Sequence, residues 1–215
     1  MSGYLESQLI ILCLSIIYAY GIFLPAASGQ LNLGAAGFIT LGAYASGWIN
    51  STDGLELPML VSVLLAILFT GVISFAIAFP ILRTRGVYMV LATFAFAEVV
   101  SGLTINMEFL GAAAGMPVDA HAPLVVLVIA AIAVILFSFY FMSTRLGLAL
   151  RSIHDDESVS VLFGVNVRFA KVAAFTAGGM VMGLGGAMYG HHYNYIEAQA
   201  FNVLLSIYIL LYVLL

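Results

Sequence analysis

Residues 7–52 read SQLIILCLSIIYAYGIFLPAASGQLNLGAAGFITLGAYASGWINST, with no charged side chain between Glu6 and Asp53. As helix, these about 46 residues would extend roughly 69 Å, more than twice the ~30 Å hydrocarbon core of a bilayer. The stretch must therefore cross twice. Within it, PAASGQLNLGAAG (Pro25 to Gly37) reads as a turn followed by a span that starts non-helically near mid-membrane. Discontinuous spans of this kind line substrate sites where protein or water covers the freed backbone. Gln30 and Asn32 are its amide side chains and the first candidates for a substrate pathway.

The rest of the chain is of the same character. Of 215 residues, 64% are apolar and 7% charged, a surface that would aggregate in water, so the solvent is lipid. The first residues lack a basic n-region and a small-residue cleavage site, so the apolar start reads as mature structure. Cys13 stands alone and supports neither a disulfide framework nor a thiolate metal site. A net charge of −4 without any basic block argues against nucleic acid as a partner.

Apolar runs place spans near Leu9 to Leu24, Leu33 to Ile49, Pro58 to Leu82, Val87 to Ile105, Leu124 to Met142 and Phe169 to Gly190; a seventh begins near Val203. Period-two alternation is absent, so helices rather than a barrel satisfy the backbone. The expected fold is an all-α polytopic membrane bundle with six complete spans and an incomplete seventh, forming one domain over residues 1–215. All six basic residues fall in two places, Arg83 and Arg85, and Arg145, Arg151, Arg168 and Lys171. Two crossings separate those places, and the positive-inside rule makes both cytoplasmic. The segments around Asp53 and Glu56, from Asn106 to Pro123 and from His191 to Asn202 are then external, with a periplasmic N-terminus.

Two spans carry small residues at helical spacing: Ala36, Thr40, Ala43 and Gly47, and Gly179, Gly183, Gly186 and Gly190. Such stripes let backbones approach, as plain packing or as surfaces that slide during transport. His191 and His192 point apart on a helix and cannot share a metal unaided; beside Tyr189, Tyr193 and Tyr195 they read as a membrane-interface anchor. Glu98 is the charged residue within a span. It requires protonation, a hydrogen bond to a group such as Ser101 or Thr93, or a wet pathway.

The longest cytoplasmic segment, about 143–168, contains STRLGLALRSIHDDESVSVLFGVNV. Ser152 with Asp155 fits a capping box, Asp155 and Asp156 favour a helix start, and Gly164 offers a stop. The helix between them would present Val159, Leu162 and Phe163 together.

In this segment, Gly147, Leu150, Arg151, Asp155, Asp156, Glu157, Gly164, Val165 and Asn166 resemble the loop of the branched-chain amino-acid ABC importer permeases. The resemblance extends to SGQLNLGAAGFITLGAY (Ser28 to Tyr44), LRTRGVYMVLATFAFAEVV (Leu82 to Val100) and FTAGGMVMGLGGAMYG (Phe175 to Gly190). It implies an inner-membrane permease subunit for branched-chain amino acids that is not an enzyme. Arg151, Asp155, Asp156, Glu157, Val159, Leu162, Phe163 and Gly164 would form the element that docks on the ATPase. The implied partners are ABC ATPase subunits that hold ATP and Mg, a second permease, identical or homologous, and a periplasmic binding protein. No cofactor is expected on this chain, which lacks a phosphate-cradling Gly-x-x-x-x-Gly-Lys-Ser/Thr.

The chain departs from the family pattern in three places. Leu110 to Pro117 reads LGAAAGMP where members have a Thr-Gly-Gly loop, and His154 replaces a basic residue. The family continues through further helices beyond VLLSIYILLYVLL (Val203 to Leu215), so C-terminal truncation is expected, and with it no transport by this chain alone. Alternatives are a related ABC permease for urea, short amides or other amino acids, or a secondary transporter. The last would commonly place several charged residues in its spans.

Overall fold

The computed structural model describes residues 3–51, 54–84 and 86–214. Asp53, Arg85 and Leu215, used above for loop polarity and for the final apolar run, lie outside the described residues. The helices are α1 (Gly3–Ala26), α2 (Ala35–Asn50), α3 (Met59–Ile81), α4 (Val87–Asn106), α5 (Leu124–Ser143), α6 (Arg145–Asp155), α7 (Glu157–Leu162), α8 (Val167–Tyr193) and α9 (Val203–Leu214). Two-residue strands β1 (Met116–Pro117) and β2 (Tyr195–Ile196) pair antiparallel, Met116 opposite Ile196.

Among the described residues, five helices, α1, α3, α4, α5 and α8, are long and apolar enough to cross a membrane, so the second expected span is not one continuous helix. The difference lies in α2, whose 16 residues reach only about 24 Å. Its start is delayed because Gly29 takes a left-handed φ of 77° and the Oδ1 of Asn32 accepts the N–H of Gly34 at 2.7 Å. A side chain that captures local backbone in this way competes with helix. Residues 30–34 are accordingly non-helical, and the second crossing combines an unwound stretch with a short helix.

Helix α8 is the axis of the bundle, packed by α2, α3 and α1. A Cβ on Gly183 would overlap the Thr70 hydroxyl of α3, and one on Gly186 would overlap the carbonyl oxygen of Ile39 in α2. Close approach thus depends on bare backbone at these two positions. Phe38 fills the centre, its ring 4.7 Å from Phe96 and 5.8 Å from Phe175. By contrast, α3, α4 and α5 turn large side chains outward, among them Leu64, Leu68, Val72, Leu91, Ile129 and Leu136. This apolar exterior suits lipid.

The two ends of the bundle differ. At one, β1 and β2 join the segment after α4 to the segment after α8. At the other, Arg83, Arg168 and Lys171 surround one cavity together with the turn that ends α1.

Candidate functional site

The unwound start of the second crossing frees backbone N–H groups, and distant side chains take them up. Leu33 N–H donates to Thr93 Oγ1 at 3.0 Å, and Ala36 N–H donates to Ser206 Oγ at 2.8 Å. Thr93 lies on α4 and Ser206 on α9, so two helices converge on the start of α2. Both hydroxyls are fully buried and were not assigned this role from sequence; hydroxyl residues inside apolar spans were the available signal.

Gln30 and Asn32 are buried in the same stretch. Gln30 Nε2 donates to Ser28 Oγ at 2.6 Å and to the Lys171 carbonyl at 3.3 Å, which orients the amide and leaves Oε1 without a protein partner. Asn32 spends Oδ1 on Gly34 and leaves Nδ2 without one. A buried polar atom left open costs about 1–3 kcal/mol. The stretch therefore holds one open acceptor and one open donor where the backbone is not helical.

Glu98 is not brought to that stretch. It stands on the exposed face of α4, while its neighbour Ala97 is buried against the bundle. Thr93 does not serve it, because that hydroxyl donates to the Val90 carbonyl at 2.9 Å.

Residues 143–168 fold as two helices, correcting the single helix expected from Ser152 to Gly164. Leu150 and Ile153 bury against Met142, Ala170 and Ala174, which carries α6 through Ser152 and makes that residue an interior position. Ser152 Oγ instead meets Ser160 Oγ at 2.6 Å. The break falls at Asp156, whose Oδ1 accepts from Ser158 N–H at 2.8 Å and Val159 N–H at 3.0 Å. Asp156, not Ser152, is thus the N-cap of α7. Gly164 follows α7 with φ 80°, a left-handed stop.

Lys171 Nζ holds Glu157 at 2.7 Å and ties α7 to α8. Arg151 and Asp155 are exposed on α6. Leu162 and Phe163 are 85% and 83% exposed, and Val159 and Val161 stand out beside them.

All eight small-residue stripe positions are inside. Gly179 faces Ser74 and Phe38, Gly190 faces Ile196 and Ala43, and Gly47 faces Ile196 and Met116. Thr40 donates to the Ala36 carbonyl at 2.7 Å. A second row was missed: Gly178 and Gly185 meet Gly21, Pro25 and Tyr18 of α1.

The reading of the histidine pair as an interface anchor also needs correction. His191 is fully buried, whereas His192 lies partly exposed beside His121, with Nδ1 2.9 Å from the Ala122 carbonyl.

Lipid-facing helices around a glycine-lined axis, with an unwound crossing inside, define a multi-pass membrane permease. The chain belongs to the family described as branched-chain amino acid transport system / permease component, whose profile matches residues 4–215. That family comprises ABC permease components and is not catalytic. The chain is similar to the high-affinity branched-chain amino acid transport system permease protein LivM of Escherichia coli (strain K12), with 25% identity over 87% of this chain and 52% of the relative. The LivM protein of Salmonella typhimurium is 24% identical over the same shares. The chain thus spans about half the length of these curated relatives. No solved structure matches it.

Proposed function

We propose that the protein is the transmembrane permease subunit of an ATP-driven importer that carries branched-chain amino acids across the inner membrane. The observation that carries this reading is the unwound stretch of a branched-chain permease-family chain, with Gln30 Oε1 and Asn32 Nδ2 buried and open. An amino acid brings an ammonium donor and a carboxylate acceptor, the complements of these two atoms. Glu98 belongs to the pathway in this reading if a paired permease covers the exposed face of α4.

ATP and Mg are held by separate ATPase subunits, and a periplasmic binding protein delivers the ligand. Residues 143–168 face the cytoplasm and receive the ATPase through α7, and the N-terminus is periplasmic. Closure of the ATPases moves α6 and α7, and the connected α8 shifts the paired permeases between inward-open and outward-open states. The Glu157–Lys171 ion pair lies on that route.

The test is uptake by the assembled transporter, purified from its native membrane and reconstituted with binding protein. ATP-dependent accumulation of leucine, isoleucine or valine is expected, with loss on Asn32→Ala. Uptake of urea or short amides instead, or uptake that does not require ATP, would overturn the assignment.

A further inference from the structure

The basic end of the bundle contains a cavity of about 570 Å³ whose two arginines, Arg83 and Arg168, have no part in the transport reading. Arg83, Arg168 and Lys171 line it, against Glu157 as the acidic side chain. Arg168 stands in the first turn of α8 and Lys171 one turn on. That is the positive end of the helix dipole, where cations are unfavourable unless anions compensate. Glu157 answers Lys171 at 2.7 Å, while Arg168 rests over the Phe79 ring at 5.5 Å. Among the described residues, no carboxylate pairs with Arg83 or Arg168.

Gln30, which the transport reading also uses, lines the same cavity. It is 2% exposed, and its Oε1 has no partner in the protein. The site therefore offers two forked cations and one buried acceptor. Their complement is an oxyanion that also carries a hydroxyl donor.

A phosphate-bearing group could come from a lipid or from solution, and the walls favour the lipid. Phe79 leads from the cavity to Phe75, whose ring lies 5.0 Å away, and then to Val72. These three share one face of α3, and Phe75 and Val72 are 50% and 68% exposed. Acyl chains can lie along that face while the headgroup sits in the cavity. We propose that this cavity binds the headgroup of an anionic glycerophospholipid, its phosphodiester on Arg83 and Arg168 and a headgroup hydroxyl on Gln30. Basic pockets between membrane helices take such headgroups by the same electrostatics.

The test uses the purified full chain without ATPase, so its outcome is independent of whether the transport reading holds. Native mass spectrometry would follow titration with phosphatidylglycerol, phosphatidylcholine and inorganic phosphate. Phosphatidylglycerol is expected to bind about thirtyfold more tightly than phosphatidylcholine, and R83Q/R168Q to abolish that preference. R145Q, which alters an exposed arginine outside the cavity, is expected to keep it. Equal binding of the two lipids by the unaltered chain would overturn the proposal whether or not the variants fold. So would an equal loss in R145Q, or saturation by inorganic phosphate that phosphatidylglycerol does not displace.

Discussion

His191 Nε2 lies 2.8 Å from Ser46 Oγ, joining the last turn of α8 to α2 in a site fully closed to solvent. The Ala120 carbonyl can only accept, so Nδ1, 3.0 Å from it, carries the proton and Nε2 accepts. Ser62 Oγ of α3 is also 3.2 Å from Nε2. One imidazole thus clasps three helices and the loop before α5.

His191→Ala would remove those bonds, leaving the Ala120 carbonyl short of a partner and Ser46 with only its 3.4 Å bond to Ser62. The expected loss is about 2–4 kcal/mol, against about 1 kcal/mol for Ser46→Ala, where Ser62 remains. Thermal unfolding in detergent would measure both. An unchanged midpoint in His191→Ala would show that the clasp does not stabilise the bundle.

Two glycines set up a contrast. Gly186→Ala drives a methyl into the Ile39 carbonyl and is expected to cost about 1–3 kcal/mol by forcing α2 off α8. Gly102→Ala meets nothing within 4 Å and is expected to stabilise α4 by up to about 1 kcal/mol through helix propensity alone. The same unfolding assay reads both, and a milder effect at Gly186 than at Gly102 would contradict this packing.

The long spans were legible because length and hydropathy suffice for them: α3 and α5 differ from the expected runs by only a residue or so. The start of α2 was legible as an irregularity but not in detail. What satisfies the freed N–H of Leu33 is Thr93, 60 positions away, and no local pattern encodes that pairing. The cap of α7 failed for a related reason. Ser152 and Asp156 both suit a helix start locally, and burial of Leu150 and Ile153 on α8 decided between them. Adjacency of His191 and His192 predicted that they diverge; which one enters the core depended on Ser46 and Ser62 in other helices.

Glu98 on the outward face of α4 would meet hydrocarbon unless another chain or water covers it, and a carboxylate there is costly. Glu98→Gln is expected to leave the unfolding midpoint of the isolated chain unchanged or higher, because it breaks no contact within the bundle. In the assembled transporter the same change is expected to slow uptake across neutral pH. Normal uptake throughout that range would remove Glu98 from the pathway.

The final prediction concerns α7, whose six residues have a cap at one end, a glycine stop at the other, and almost no burial of their own. Leu162 and Phe163 are the most exposed large apolar side chains of the chain's described residues, and they lie beside the acidic run Asp155, Asp156 and Glu157. That run disfavours settling on an anionic leaflet, so a protein groove is the better cover for this face. Because neither side chain packs inside the bundle, Leu162→Ala with Phe163→Ala is expected to leave thermal stability and membrane insertion unchanged. A pair of anchors that fills a partner's pocket typically contributes more than about 1–2 kcal/mol, so ATPase copurification should fall by about tenfold or more. Asp156→Ala, which loosens the cap by about 1 kcal/mol without touching either anchor, should weaken the same association less. Full ATPase retention and coupled uptake in the double variant would show that α7 does not receive the motor.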